Sequence, residues 1–364
     1  MGGHDCPFCS TMLVNLSFLI SKPTGLTVYA QNLLPHLANL EPIVLSSRAM
    51  EGFDCHPIPV ELTAEHGTRG HLSRLIWTQW RLPKLYRQLH QNLLFSPIPE
   101  APIASRCRYV ITVHDLIPLR FPHRRSPLTL YFRHWVPLVV RQAEHVICNS
   151  EATAADVHQF FDVPCDRITA IPLAYDREHF QYLDLPEQPY FLYIGRPDPH
   201  KNLARLIAAF AQIAKHTDTE LRIVGSTDPR YTPELELLAT ERGVGDRVKF
   251  LSYVPYAELP TLLNQAIALV FPSLWEGFGL PVLEAMACGT PVITSNLASL
   301  PEVAGDAAIL VDPTSEAALA AAMQNLAQDS PLRSQLRTAG LHRAQQFSWE
   351  RTGQETADLL AQFA

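Results

Sequence analysis

Two glutamates eight residues apart flank a loop that contains two glycines. Residues 272–284 read PSLWEGFGLPVLE, with Glu276 before the loop and Glu284 inside a short helix predicted from about Pro281. Free backbone N–H groups at such a helix start favour a phosphate or another anion. Because carboxylates repel phosphate, we expect the glutamates to accept hydrogen bonds from the hydroxyls of a sugar or a ribose. A surface loop with two solvated glutamates is the alternative, since short motifs have many false positives.

A turn with two cations precedes this loop in the chain. Residues 195–202 read GRPDPHKN and lie between a predicted strand and a predicted helix. Arg196 and Lys201 therefore follow the edge of the sheet, where a departing diphosphate would need positive charge. Arginine offers a fixed fork of donors, and lysine a mobile point charge. An ordinary basic turn with Asn202 as the N-cap is the alternative.

Two weaker signals lie in the N-terminal half. An apolar run ends in His114 and Asp115 at the carboxyl end of a predicted strand. The histidine is suited to donate a hydrogen bond to a sugar hydroxyl or to the backbone, and the aspartate to orient the ring or cap the next turn. A buried core histidine is the alternative. Gly25, in the loop PTGLT, is small enough to approach a pyrophosphate, although a plain turn explains a single glycine equally well.

The elements that must position these residues alternate between short apolar runs and helical periodicity, which indicates an α/β fold with parallel sheets. Strands are predicted at 13–19, 43–46, 109–114, 145–149, 168–171, 190–195, 221–225, 248–254, 268–271, 291–294 and 308–311. Helices are predicted near 24–37, 72–91, 128–143, 150–161 and 202–216, between the later strands, and from 315 onwards. Ser150 is the predicted N-cap of the fourth helix.

Residues 174–189 are charged, contain prolines and break the periodicity, so we predict a linker there. Two doubly wound domains with a cleft between them follow, at 12–178 and 185–348. Residues 1–11 are expected to form a tail, and the C-terminal helix, 349–364, is a candidate to pack back on the first domain. Ligands of open α/β sheets bind outside the carboxyl ends of the strands.

Composition excludes several classes of protein. The 364 residues are 47% hydrophobic and 18% charged with a net charge of -7, which argues against disorder and against a general nucleic-acid binder. Seven scattered cysteines without a secretory signal favour a reducing cytosol over a disulfide framework. No run of about 18 apolar residues occurs, so no membrane span is expected.

We expect no metal and no cofactor. Cys6 and Cys9 lie beside His4, but a metal knuckle needs four ligands and no second pair has useful spacing. A terminal tail is the simpler interpretation, and Met12 is an alternative start. No Asp-x-Asp pair occurs, which removes the usual way to hold a divalent metal on phosphates. Cations and helix N-termini would have to supply the positive charge.

Three segments together resemble one known family. They are YFLYIGRPDPHKNLARLIAAFAQI at 190–213, FPSLWEGFGLPVLEAMACGTPVITSNLASLPEVAGDAAILVDP at 271–313 and VITVHDLIPLRFP at 110–122. The sequence resembles the family 4 retaining glycosyltransferases of the GT-B fold, most of all the bacterial mannosyltransferases that build surface polysaccharide. The resemblance is specific from about residue 190 to 350, moderate from 109 to 180 and weak before. It implies two Rossmann-like domains facing a central cleft, the first for the acceptor and the second for the nucleotide-sugar.

The resemblance implies a role for each matching position of the second domain. Glu276 would hold the donor sugar, and Glu284 the ribose of the nucleotide. Arg196 and Lys201, beside Gly195, would grip the diphosphate.

Backbone and N-terminal positions complete the implied site. Three consecutive residues would lie with their backbone against the donor sugar and phosphate: Phe278, Gly279 and Leu280. His114 would contact the donor sugar near the reacting carbon. Gly25 matches an N-terminal glycine loop, but many relatives have two adjacent glycines where this chain has Thr24 and Gly25. A thinner phosphate contact from the first domain follows, or none.

The implied reaction moves a hexose from a nucleotide-diphosphate sugar to a saccharide or lipid-linked saccharide, with retention of the anomeric configuration. Mannose from GDP-mannose is the best guess, and a UDP-sugar such as UDP-glucose is the near alternative, because no local feature separates guanine from uracil. A nucleotide-sugar isomerase and a non-catalytic nucleotide-sugar-binding protein are alternatives of other classes. The resemblance argues against the isomerase, and the complete motif set argues against the non-catalytic protein.

The acceptor side is suggested only by charge. Between Gly67 and His145 there are twelve Lys or Arg and three Asp or Glu residues, together with the aromatic residues Trp77, Trp80, Tyr131, Phe132 and Trp135. A basic, aromatic surface suits an anionic bilayer or a lipid-diphosphate acceptor, so we expect a cytoplasmic protein with peripheral contact at the inner face of the cell membrane. A solvated helical face with core aromatics is the alternative.

Overall fold

The computed structural model describes residues 12–20, 24–123, 126–252 and 254–364. The expected tail, with Cys6 and Cys9, lies outside these residues. The chain divides into two compact units: Ala174–Ser348 forms the second unit, and the residues up to Leu173 together with Trp349–Ala364 form the first. Residues 174–189, where a linker is predicted, therefore belong to the second unit, and the C-terminal helix belongs to the first.

Thirteen strands form two parallel sheets within the described residues. They are β1 Met12–Asn15, β2 Ile43–Ser46, β3 Asp54–Pro57, β4 Leu93–Ser96, β5 Tyr109–Val113, β6 His145–Cys148, β7 Ile168–Ala170, β8 Tyr190–Ile194, β9 Glu220–Val224, β10 Val248–Leu251, β11 Ala268–Phe271, β12 Val292–Ser295 and β13 Ile309–Val311. The first unit has the order β3-β2-β1-β4-β5-β6-β7, and the second β10-β9-β8-β11-β12-β13.

Fifteen α-helices lie between and after these strands in the described chain. They are α1 Gly25–Leu33, α2 Gly67–Trp80, α3 Leu82–Gln88, α4 Ile117–Arg120, α5 Pro127–His134, α6 Val136–Gln142, α7 Glu151–Phe161, α8 Leu203–Ile213, α9 Thr232–Glu241, α10 Leu259–Gln265, α11 Leu280–Ala287, α12 Leu300–Ala304, α13 Glu316–Gln328, α14 Ser330–Ala344 and α15 Trp349–Ala361. The central strands are mostly apolar because helices cover both faces of a parallel sheet, and several of them end at a polar residue.

Prolines account for the main differences from the predicted helices. The predictions at 72–91 and 128–143 were wrong in length, since each region forms two helices that break at Arg81 and at Trp135. Pro83 and Pro137 stand in the first turn of the second helix of each pair. A proline has no N–H to donate to the preceding turn, so it begins a helix more readily than it continues one.

Strand boundaries differ in two places. The strand predicted at 13–19 ends at Asn15, and the one predicted at 248–254 ends at Leu251. Two further strands of the first sheet were not predicted, β3 and β4. The sequence of β3, DCHP, is polar and partly exposed because this strand lies at the sheet edge, so it lacks an apolar pattern. The predicted N-cap of α7 is confirmed: the Ser150 hydroxyl accepts from the Thr153 N–H at 3.1 Å.

Candidate functional site

At the carboxyl edge of the second sheet, the ends of two strands lie so close together that a side chain does not fit between them. Strands β8 and β9 end next to each other at Gly195 and Gly225, and the Gly195 N–H donates to the Val224 carbonyl at 2.8 Å. A Cβ added at Gly225 would lie 2.1 Å from the Gly195 oxygen, so only glycine permits this approach. The two glycines and Thr227 line a small depression at this edge, together with Ile223 and Phe250.

Lys201 and Glu276 meet at this edge although 75 residues separate them. The Lys201 Nζ donates to Glu276 Oε1 at 2.6 Å, and the ammonium lies 5.4 Å from the centre of the Phe271 ring. The two side chains are only 18% and 10% exposed. The two charges of so buried a pair depend on each other, because removing one partner would leave the other as an uncompensated buried charge. The Lys201 ammonium has three N–H donors, and in the described residues its hydrogen bond is the one to Glu276.

Asn202 fastens the basic turn to the rest of the site. Its side-chain N–H₂ group donates to the carbonyls of Pro272 at 3.1 Å and Pro313 at 2.7 Å, and its oxygen accepts from Arg205 at 2.9 Å. Asn202 has left-handed backbone geometry, with φ of 64°, and its side chain does not cap α8. Asn202 thus stands at the N-cap position of α8, as the alternative predicts, but its side chain makes no capping hydrogen bond. Its anchoring role was missed because Pro272 and Pro313 lie 70 and 111 residues away in the sequence.

The loop after β11 is held by Ser299 and leads into α11 through Gly279, which has a positive φ. The Ser299 hydroxyl donates to the Phe278 carbonyl at 2.7 Å and lies 3.0 Å from the Glu276 carbonyl. Gly279 has φ of 115°, and a Cβ there would lie 2.7 Å from Leu300 Cδ2, so a larger residue would be strained in both backbone and packing. The backbone of Phe278, Gly279 and Leu280 is thus presented at the helix start.

Glu284 lies on α11 with a partly exposed side chain. Burial of its carboxyl raises the pKa of Glu284 to about 7, and the nearby Asp176 carboxylate adds to the shift. Asp176 is itself occupied, since its Oδ1 accepts from the backbone N–H groups of Glu178 and His179 at 3.1 and 3.0 Å. An ionised Glu284 at this position would be a strong hydrogen-bond acceptor, which suits two adjacent hydroxyls.

Arg196 is not part of the Lys201–Glu276 pair. Its side chain is 62% exposed, and its nitrogen atoms lie 3.4 Å from Asp198 and 3.9 Å from Asp228. Asp228 already pairs with Arg230 at 2.6 Å. Exposed ion pairs of this length contribute little, so the Arg196 guanidinium is available to an incoming anion.

In the first unit, His114 follows β5 and is held from two sides. Its Nε2 donates to the Pro97 carbonyl at 2.9 Å, and its ring lies edge-on to Tyr29 at 4.8 Å between centroids. Burial lowers the pKa of His114 to about 4, so the imidazole is neutral near neutral pH. Sequence analysis predicted that His114 donates a hydrogen bond either to a sugar hydroxyl or to the backbone, and the structure shows the bond to the backbone. In the neutral ring, Nδ1 is then an acceptor. Asp115 caps the next turn by accepting from the Ile117 N–H at 3.0 Å.

Gly25 is the first residue of α1, behind a capped N-terminus. The Thr24 side chain accepts from the Thr27 N–H at 3.3 Å. A Cβ added at Gly25 would meet no atom within 4 Å, so nothing in the described chain requires glycine here. The position is open to an approaching group.

The family models match both halves of the chain. The model "Glycosyltransferase Family 4" covers residues 23–179, and "Glycosyl transferases group 1" covers 175–343. The O-antigen chain mannosyltransferase B of Escherichia coli is 32% identical over 262 residues, which are 68% of this chain and 69% of that protein. This chain belongs to the glycosyltransferase family that these models describe.

Further relatives of this glycosyltransferase cover more of its length. The O-antigen chain mannosyltransferase RfbU of Salmonella typhimurium is 29% identical over 87% of this chain and 91% of that protein. A structure of Anabaena Alr3699/HepE in complex with UDP-glucose superposes with a TM-score of 0.73 at 18% identity, covering 96% of this chain and 99% of that one. Other solved glycosyltransferases share the architecture, which confirms the α/β GT-B fold class.

A row of polar residues at the carboxyl edge of the first sheet was missed by sequence analysis of this glycosyltransferase. Asn15 and Ser96 follow Val14 and Phe95, which are register partners on β1 and β4. Asn15 Nδ2, Ser17 Oγ, Ser96 Oγ and Asn149 Oδ1 are buried without a hydrogen-bond partner in the described ranges. The available signal is that these apolar strands all end at a polar residue.

The described residues offer neither a metal cluster nor a membrane-spanning helix. Among the described residues, no group of three or more His, Cys, Asp or Glu side chains is placed to hold a metal ion. No helix in the same residues is long and apolar enough to cross a membrane.

Proposed function

We propose that this glycosyltransferase is a retaining hexosyltransferase that moves mannose from GDP-mannose to a saccharide or lipid-linked saccharide in surface polysaccharide synthesis. The observation that carries the proposal is the buried Lys201–Glu276 pair beside the backbone loop that starts α11. The names of the two O-antigen mannosyltransferases support mannose and a polysaccharide product. The UDP-glucose complex of the Anabaena protein keeps a UDP-sugar as the alternative donor.

The donor diphosphate would bind between cations and backbone. Lys201 keeps its contact with Glu276 and directs its other donors to phosphate oxygens, while Arg196 leaves its long, exposed ion pairs to do the same. The N–H groups at the start of α11 add to this positive field. Because these groups supply the charge, the proposed reaction needs no divalent metal.

The donor hydroxyls would be bound by acceptors. Glu276 accepts from the sugar, and ionised Glu284 accepts from the ribose. In the first unit, the neutral His114 accepts a sugar hydroxyl at Nδ1 because its Nε2 proton is used by Pro97. Gly25 would leave space for the phosphate side of the donor, since no described atom lies within 4 Å of an added Cβ.

The chemical step is a same-face displacement. The bond from the anomeric carbon to the diphosphate oxygen breaks, and the acceptor hydroxyl oxygen bonds to that carbon on the same face. The acceptor proton passes to the departing phosphate oxygen. Lys201 and Arg196 stabilise the negative charge that grows on the diphosphate, which is the largest contribution expected of a fixed site.

The test is donor hydrolysis by purified protein with a panel of GDP- and UDP-sugars, in buffer with a chelator. We expect slow nucleotide release from GDP-mannose alone. Release from a single UDP-sugar would replace the donor but keep the enzyme class. An absence of both release and calorimetric nucleotide binding would refute the proposal in favour of a non-catalytic protein.

As part of the same proposal, we infer that the enzyme works at the inner face of the cell membrane through residues 67–145.

A further inference from the structure

The outward face of α2 is apolar, which is the reverse of an ordinary surface helix. Leu72, Ile76 and Trp80 are 58%, 54% and 70% exposed. Residues four apart share one face of a helix, so these three side chains form a continuous line, here named the α2 stripe. Trp80 is the most exposed large apolar side chain in the described chain.

Specific contacts on the opposite face fix this orientation. Arg74 donates to both carboxylate oxygens of Glu100 at 2.7 Å, and this ion pair is almost fully buried. Gln79 donates to the Ala101 carbonyl at 3.0 Å and accepts from the Ile103 N–H at 2.9 Å. The helix therefore cannot rotate to bury the stripe without breaking a buried ion pair, which is strongly destabilising.

Exposed cations accompany the α2 stripe, and the segment from α2 to α3 carries no acidic residue, although the exposed Glu61 and Glu65 precede it. Arg69, Arg81, Lys84 and Arg87 are exposed on α2 and α3 and at their junction. The sequence has no Asp or Glu from residue 67 to residue 99. A line of apolar side chains with a basic border matches an anionic lipid surface, in which the acyl boundary takes the apolar groups and the headgroups take the cations.

We propose that the α2 stripe and its four bordering cations dock the first unit on an anionic bilayer. The inference rests on the proposed function in one respect, that a lipid-linked acceptor lies in a membrane. A second copy of the chain is a poorer occupant, since three side chains are far fewer than the roughly 20–30 residues per side of a standard protein interface.

Vesicle co-sedimentation tests the proposal with two lipid compositions, phosphatidylcholine alone and phosphatidylcholine with phosphatidylglycerol. The wild type should bind only the anionic vesicles, and high salt should release it. The Ile76→Ser/Trp80→Ser variant should lose roughly tenfold or more in partition coefficient. The Arg81→Glu/Lys84→Glu variant should lose roughly fivefold for each cation. All four side chains are exposed, so thermal stability should not change.

Matched controls come from the second unit, which also has an exposed leucine and an exposed arginine. Leu237→Ser and Arg242→Glu make the same chemical changes away from the stripe and should bind vesicles as the wild type does. Trp80 also serves as a direct probe. Vesicles with brominated acyl chains should quench part of the tryptophan emission of the wild type, and Trp80→Phe should remove that part.

Three outcomes overturn the inference: no binding to anionic vesicles, equal binding to both vesicle types, or quenching that persists in Trp80→Phe. A concentration-dependent dimer in sedimentation velocity that the stripe variant abolishes would also overturn it, by assigning the stripe to a second copy. Donor hydrolysis without vesicles separates this test from the proposed function. Donor hydrolysis without vesicle binding would refute only the proposed docking surface. Vesicle binding without hydrolysis or nucleotide binding would refute only the proposed enzymatic activity.

Discussion

The carboxyl edges of the two sheets differ in how completely their polar groups are paired. In the second unit, Lys201 pairs with Glu276, and Asn202 uses its whole amide. Of the nine buried side-chain atoms that lack a hydrogen bond in the described residues, four lie at or just after strand ends of the first sheet, on Asn15, Ser17, Ser96 and Asn149, and one, on Ser273, follows β11 of the second sheet. Since an unpaired buried polar group is costly, such groups mark places that a water or a ligand completes.

This difference matches two kinds of binding. Under the proposed function, the donor binds the pre-organised site of the second unit, whose side chains already hold one another. The acceptor then binds the edge of the first sheet, whose buried polar atoms lack partners in the described residues.

The largest effect is expected in the paired site. Lys201→Met should lower the rate of donor hydrolysis by about 10²–10³-fold, because it removes a preformed positive charge from the leaving group. It should also lower stability by about 3–5 kcal/mol, since Glu276 is left as an unpaired buried charge.

A double variant separates these two effects. Lys201→Met/Glu276→Gln replaces the ion pair with neutral groups, so it should recover most of the thermal stability without recovering turnover. Glu220→Gln breaks the more exposed ion pair with Arg222 and should change neither. Turnover that returns with stability would mean that the pair serves only the fold.

A smaller, pH-dependent effect is expected at Glu284. Its ionised form is the hydrogen-bond acceptor, and its pKa is raised to about 7, so nucleotide affinity should rise with pH up to about 7 and then level off. Glu284→Gln should weaken binding by roughly 10–100-fold above pH 7, as for the loss of a charge-assisted hydrogen bond. Calorimetry between pH 5.5 and 8 measures both; an equally steep pH dependence in the variant would contradict the assignment.

The same shift predicts the opposite trend for the stability of the free protein. The unfolded carboxyl loses its proton near 4.5, whereas the folded one keeps it up to about 7. The unfolded chain thus binds fewer protons between these values, so the free energy of unfolding should fall as the pH rises through them. Thermal melts of wild type and Glu284→Gln should diverge over this range, and parallel curves would rule out the shift.

The first unit should give weaker effects. His114→Asn removes a neutral acceptor and should lower turnover by about 2–10-fold, the value of one neutral hydrogen bond. Because burial lowers the pKa of His114 to about 4, the variant should leave the pH profile above pH 5.5 unchanged. His145→Asn is the control, since His145 is also buried but lies at the start of β6, bonded to Thr169 at 2.8 Å. Equal losses in both variants would indicate a packing effect.

The smallest effect contrasts two glycines. Gly25→Ala should leave thermal stability unchanged or raise it slightly, because its Cβ meets nothing and alanine favours a helix. Donor affinity should fall by roughly two- to fivefold, about the effect of one neutral hydrogen bond, because the methyl group would occupy space next to the donor phosphate. Gly279→Ala should instead lower stability, owing to the positive φ and the contact with Leu300. An unaltered donor affinity in Gly25→Ala would remove Gly25 from the site.

Sequence analysis located the second unit better than the first for physical reasons. The strand at 268–271 is a buried apolar run, and its predicted bounds match the structure. The half-exposed β3 carries no such pattern, and β4 is four residues long and directly follows a region predicted as helix. Local patterns report burial, so short or edge strands are lost.

The site shows the same limit. Glu276 and Lys201 were named from motifs, but their ion pair spans 75 residues, and spacing does not encode such a contact. The support given by Asn202 and Ser299 is equally non-local. The buried polar atoms at the edge of the first sheet lack hydrogen-bond partners in the described residues, and only the three-dimensional packing shows that these partners are absent.

Calorimetric titration of GDP, GDP-mannose and UDP-glucose into wild type, Glu284→Gln and His114→Asn tests the division of roles between the two units. We expect the variant in the second unit to lose affinity for the free nucleotide and the nucleotide-sugar alike. The variant in the first unit should bind the nucleotide normally and lose affinity only for the nucleotide-sugar. The reverse pattern, with nucleotide affinity lost in His114→Asn and kept in Glu284→Gln, would contradict the division of roles between the two units.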